Sequence, residues 1–73
     1  MTHERKKEID SLFSERLAKF RIDAGLTQQK LHKLSGITLQ TIRGLEDGLW
    51  GPSLATAVCL ANALKVSLEA FIK

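Results

Sequence analysis

From Ile9 onward the apolar residues fall at helical spacing. Ile9, Phe13, Leu17 and Phe20 recur every three or four positions, with Leu12 and Ala24 beside the stripe. The pattern predicts a first helix ending at Gly25, a residue that takes the left-handed cap conformation without a Cβ penalty. Ahead of it, residues 1–8 are charged and carry no apolar period, and are expected to form a flexible arm. Thr27 reads as the N-cap of a second helix running from Gln28 to about Ser35, burying Leu31 and Leu34 and closing at Gly36. The same start signal recurs at once, with apolar Ile37 followed by the cap Thr38. It opens a third helix from Leu39 to about Asp47, with Ile42 and Leu45 inward and Gly48 at its end. A fourth helix starts near Pro52-Ser53 and carries Leu54, Ala57, Val58, Leu60, Ala61 and Leu64. Ser67 caps a short fifth helix with Leu68, Phe71 and Ile72 on its apolar side. No alternation long enough for a strand competes. The expected fold is all-α: five short helices making one domain over 9–73, preceded by the arm at 1–8.

Composition narrows the function classes. A chain of 73 residues holds one domain with a modest core. Its 44% hydrophobic and 26% charged residues are those of a globular chain and not of a disordered one. The net charge of +3 favours an anionic partner only mildly. No stretch approaches the roughly 18 apolar residues of a membrane span, and the charged start is not followed by the apolar segment of a signal peptide. The single cysteine, Cys59, makes no internal disulfide and no zinc site. Its place in Ala57-Val58-Cys59-Leu60 reads as a buried inert thiol, and a cytoplasmic setting is expected. His3 and His32 stand far apart with no Cys or carboxylate at ligand spacing, so no metal and no cofactor are expected. The serines sit at caps and turns, where their hydroxyls serve the backbone, and no nucleophile is paired with a base. The chain is not expected to be an enzyme. It carries no separate effector domain, so no small-molecule effector is expected.

The informative unit is two helices joined by a few residues around Gly36. A connection this tight fixes their crossing angle and leaves the second helix standing proud, able to enter a groove about 12 Å wide. With Ile42 and Leu45 turned inward, the other side of the third helix presents Thr38, Leu39, Gln40, Arg43 and Gly44. Gln pairs bidentately with adenine, Arg with guanine, and Leu contacts a thymine methyl. Gly44, placed in a helix interior where it costs about 1 kcal/mol against Ala, would let the backbone approach bases closely. Thr27, Gln28 and Gln29 occupy the N-terminus of the second helix, whose free N–H groups and dipole suit a phosphate. The double-stranded DNA-binding reading therefore assigns base contacts to Leu39, Gln40, Arg43 and Gly44.

The ordered set Gly25-Leu26-Thr27-Gln28, Leu31, Gly36-Ile37-Thr38, Thr41-Ile42, Leu45-Glu46-Asp47-Gly48, Pro52-Ser53-Leu54 and Leu64-Lys65-Val66-Ser67-Leu68 resembles the Cro-type (XRE, xenobiotic-response-element) helix-turn-helix regulators, the lambda-repressor-like group. The resemblance covers about residues 16–71. It implies a transcriptional regulator, a repressor in most such proteins, that binds a two-fold operator as a homodimer. It implies that Gln28 touches a phosphate and braces the third helix, with Thr27, Thr38 and Thr41 also at the DNA backbone. It further implies that Arg21 and Glu46 form a structural ion pair. Two departures stand out. The loop after the third helix, Leu49-Trp50-Gly51, lacks the Lys or Arg that relatives place there, and His32 replaces a residue that is commonly Ala. Trp50 is open to two readings: packing on a sugar–phosphate edge or a partner, or folding over the core as a lid. The alternative function is an antitoxin-type interaction module that neutralises a toxin and represses its own operon. The regulator is favoured, since the single predicted domain leaves no segment to cover a toxin. The dimer surface is expected at Leu68, Phe71 and Ile72.

Overall fold

The computed structural model describes residues 3–73, with side chains from residue 5 on. It contains α1 (His3–Asp23), α2 (Gln28–Ser35), α3 (Leu39–Glu46), α4 (Leu54–Leu64) and a C-terminal 3-10 turn (Leu68–Phe71). The all-α class holds, with four α-helices where five were expected; the fifth is a single 3-10 turn. Ser67 precedes that turn in extended conformation but makes no side-chain cap hydrogen bond.

The first helix begins at His3, six residues before the expected start, so the segment read as an arm is helical from there on. Apolar periodicity cannot detect this extension, because its Glu, Arg and Lys residues are good helix formers with no apolar face. An i,i+4 pair, Lys6 Nζ to Asp10 Oδ2 at 2.8 Å, ties it to the next turn.

The core joins Phe13 and Leu17 of α1, Leu31 of α2, Ile42 and Leu45 of α3, and Ala57, Leu60, Ala61 and Leu64 of α4. Phe71 plugs it from the C-terminal turn, stacking on Phe13 at 4.5 Å and meeting Phe20 edge-on at 5.3 Å. Arg16 Nη1 donates to the Ala70 carbonyl at 2.6 Å and fastens that turn to α1. Helix α2 packs on α4 and α3, and α3 packs on α1.

Several positions of the expected apolar faces lie outside the core, Leu54 and Val58 of α4 among them. Leu34 is 57% exposed, because α2 ends one residue later and its last turn passes the edge of the core. Cys59 is exposed and not buried. The inward side of α4 is set by positions 57, 60, 61 and 64, and residue 59, about 100° round from 60, falls on the opposite face. Of the C-terminal apolar trio only Phe71 is buried, whereas Leu68 and Ile72 remain exposed.

Candidate nucleic-acid interface

Helices α2 and α3 are each only eight residues long. Helices this short are marginal on their own, so both are held at their ends. The same device opens each one. Thr27 Oγ1 accepts from the Lys30 N–H at 3.0 Å, and Thr38 Oγ1 accepts from the Thr41 N–H at 3.2 Å. An apolar residue precedes each cap, Leu26 and Ile37, and packs on the core that the fourth residue of the helix, Leu31 or Ile42, enters. This is the spacing of a hydrophobic staple.

The turn between them is stitched closed. Gly36 takes the left-handed conformation (φ 77°) and donates its N–H to the His32 carbonyl at 2.9 Å. The Ile37 N–H donates to Ser35 Oγ at 3.1 Å. His32 Nδ1 donates to the Ile37 carbonyl at 2.7 Å, which requires the proton on Nδ1. The imidazole thus spans the turn, a role that an Ala at this position could not fill. Sequence reasoning noted His32 only as a departure.

The far end of α3 is held from behind by a polar cluster centred on Glu46. Its carboxylate accepts from Arg21 Nε at 2.7 Å, from Arg21 Nη2 at 3.0 Å and from Gln28 Nε2 at 3.1 Å. Arg21 Nη1 also donates to the Leu26 carbonyl at 2.8 Å. The side chains of Arg21 and Glu46 are 14% and 7% exposed, so the pair is largely withdrawn from water. The hydrogen bond to Glu46, aided by its charge and opposed by burial, holds the Arg21 guanidinium above the usual arginine range. The expected ion pair of Arg21 and Glu46 is present, and Gln28 makes the bracing bond to α3. Ser14 Oγ adds a bond to the Glu46 carbonyl at 2.9 Å. Ser14 lies inside α1 and not at a cap or turn, where the serines were expected; the signal that could have found it is a polar residue adjoining the stripe of Phe13 and Leu17.

The outward face of α3 is different. Gln40 and Arg43 are exposed, and among the described residues neither makes a hydrogen bond or ion pair. Leu39 is half-buried beside them. Thr38 and Thr41 bond each other, Thr38 Oγ1 donating to Thr41 Oγ1 at 2.8 Å, which leaves the Thr41 hydroxyl proton to point elsewhere. Gln28 retains a second amide N–H besides the one given to Glu46.

Gly44 departs from expectation. It was assigned to the base-reading set as a bare backbone, yet it is buried. The indole of Trp50 covers it, and a Cβ built on Gly44 would overlap the six-membered ring. Trp50 itself is 44% exposed. It is therefore no lid on the main core but a ring laid along α3. The loop that carries it is fixed by the Leu49 N–H donating to the Gly44 carbonyl at 2.9 Å, and by Gly51, where a Cβ would overlap the Asp10 carboxylate. The loop is uncharged, but Lys6 and Lys7 of α1 line a shallow groove of about 530 Å³ with residues 48–51. The helical extension at 3–8 thus brings Lys6, paired with Asp10, and Lys7 beside the uncharged loop.

The sequence matches a helix-turn-helix family model over residues 17–71. It is 39% identical over 62 residues to the SPbeta prophage-derived HTH-type transcriptional regulator YonR of Bacillus subtilis, a match covering 85% of this chain and 57% of that protein. It is 48% identical over 44 residues to an HTH-type transcriptional regulator of Methanothermobacter thermautotrophicus, covering 60% of this chain and 64% of the relative. A regulator of Archaeoglobus fulgidus is 37% identical over 54 residues, covering 74% and 77%. The chain thus spans about three fifths of the length of the first two relatives. The crystal structure of the restriction-modification controller protein C.AhdI from Aeromonas hydrophila superposes with a TM-score of 0.78 at 33% identity, over 82% of this chain and 91% of that one. Joined by the stitched turn and the braced α3, these matches mean that the chain belongs to the XRE-type helix-turn-helix family.

Proposed function

We propose that this chain is a sequence-specific double-stranded DNA-binding transcriptional regulator, acting as a repressor, with α3 in the major groove. The observation that carries the reading is the contrast between the two sides of α3. Its back is locked by Ile42, Leu45 and the Glu46 cluster, while Gln40 and Arg43 project from its front without partners among the described residues. Side chains free to bond, on a helix that cannot shift, are what base reading requires. Gln40 reads adenine, Arg43 guanine, and Leu39 supplies apolar contact. Thr27, Gln28, Thr38 and Thr41 hold phosphates from the two helix N-termini. The relatives' names as transcriptional regulators support the regulator over the antitoxin reading.

The protein acts as a homodimer in the cytoplasm. One domain makes too few contacts for high specificity, and two half-sites about 34 Å apart match a two-fold pair. The candidate dimer face is the exposed apolar edge of Leu54, Val58, Leu68 and Ile72, which replaces the Leu68, Phe71 and Ile72 surface because Phe71 is buried. Selection of bound sites from random duplex DNA, with stoichiometry measured on the winning site, tests the reading. A two-fold site bound by two chains is expected, with affinity falling steeply as salt rises. Sequence-indifferent binding would overturn it.

A further inference from the structure

Position 44 lies on the groove-facing side of α3, one turn after Gln40 and about opposite the inward pair Ile42 and Leu45. A residue there should be exposed, yet Gly44 is buried, and what buries it is the Trp50 ring. The indole stands in the volume that a side chain at position 44 would occupy. One surface of the ring rests on the Gly44 backbone while 44% of the residue stays open. The loop that carries the ring is anchored on both sides of it. The Leu49 N–H closes the end of α3 onto the Gly44 carbonyl, and Gly51 presses on Asp10 of α1.

We infer that Trp50 is a base-reading residue, delivered from the loop to the face of the recognition helix in place of a side chain at position 44. This rests on the proposal that α3 enters the major groove. It replaces the expectations that Gly44 offers bare backbone to the bases and that Trp50 packs on a sugar–phosphate edge. An aromatic edge in the major groove is recognised by apolar contact, and the base feature that offers it is the thymine C5-methyl. Trp50 therefore selects thymine at one position of each half-site, separate from the adenine read by Gln40.

The test compares the intact protein with Trp50→Ala and Trp50→Phe by site selection, then by titration on the winning duplex with single thymines replaced by deoxyuridine, which removes only the methyl. For the intact protein, one deoxyuridine position is expected to weaken binding about fourfold, the effect of one buried methyl. Trp50→Ala should lose the base preference at that position and become indifferent to deoxyuridine there, keeping its preference where Gln40 reads. Trp50→Phe should retain part of the thymine preference. If Trp50→Ala does not fold, the deoxyuridine series on the intact protein and the Trp50→Phe selection decide the matter. Uniform weakening at all positions, or a winning site with no methyl-sensitive thymine, overturns the inference while leaving the groove reading intact. If the intact protein selects no sequence at all, the groove reading itself fails. Trp50 is the only tryptophan, so its fluorescence should change on the winning site more than on an unrelated duplex.

Discussion

Replacing Glu46 by Ala should be among the most damaging single changes at a residue that touches no DNA. The substitution removes two hydrogen bonds from Arg21, at 2.7 and 3.0 Å, and one from Gln28 at 3.1 Å. It leaves a guanidinium, whose side chain is 14% exposed, with only the Leu26 carbonyl as partner. Breaking a buried pair from one side costs about 3–5 kcal/mol. The retained carbonyl bond and the residual access to water place the loss near the lower end, about 3 kcal/mol. A chain of this length has a total stability of about 4–11 kcal/mol, so the loss is a large share, and the melting temperature should fall by about 12–24 °C. Denaturant unfolding followed by circular dichroism measures it. Lys19→Ala is the control, since Lys19 and Asp23 form an i,i+4 pair that is 63% and 60% exposed and should be worth at most about 0.5 kcal/mol. The double variant Arg21→Met with Glu46→Leu should be milder than Glu46→Ala, because no unpaired charge remains buried. If Glu46→Ala costs no more than the control, the cluster is not what holds α3.

Other outcomes follow from single features. Lys65 is the sole non-glycine residue with positive φ (58°) among those described, at the C-cap of α4; Lys65→Gly should stabilise by about 0.5–1 kcal/mol, the relief of left-handed strain less glycine's entropy, read as a raised melting temperature. His32→Ala should cost about 1 kcal/mol by leaving the Ile37 carbonyl without its donor and should speed amide hydrogen exchange in the turn between α2 and α3. Gln40→Ala should relax base choice at one position by about 1–3 kcal/mol, measured by titration against single-base variants of the site. Gln28→Ala should weaken binding to all duplexes alike and lower the slope of log affinity against log salt less than loss of a charged contact would, because Gln displaces no counterion.

The elements that sequence revealed best are those with a local chemical signature. Thr27 and Thr38 cap as expected, and Gly25, Gly36 and Gly48 take positive φ. Leu31, Ile42 and Leu45 are buried. What escaped depends on long-range packing or on signals that periodicity does not carry. The extension of α1 to His3 is built from charged residues that form helix without an apolar face. The exposure of Leu34 and Cys59 follows from where α2 stops and how α4 is rotated, neither of which is set by neighbours in sequence. In the site, the Arg21–Glu46 pair came from family resemblance and is present, whereas the relation of Trp50 to Gly44 links residues six apart across a turn and needed coordinates. Gly44 was expected on an exposed face with its backbone open to bases; it is buried, and the occupant of the space is an indole of the same chain.

That substitution bears on how the molecule can dispense with a basic loop. A side chain on α3 at position 44 would be held by helix geometry alone, leaving the following loop free to reach phosphates. Here the loop is drawn back onto α3, with the ring on Gly44 and Gly51 against Asp10. Lys6, paired with Asp10, and Lys7 of α1 line the same groove as the loop. The helical extension of α1 and the Trp50 loop thus line one groove. With α3 in the major groove as proposed, Lys7 is the lysine of this groove left to meet the DNA backbone, since Lys6 is paired with Asp10. Lys7→Gln should accordingly reduce the salt dependence of binding by about one counterion without changing base preference. An unchanged salt slope would separate the two features and leave the extension of α1 without a part in DNA binding.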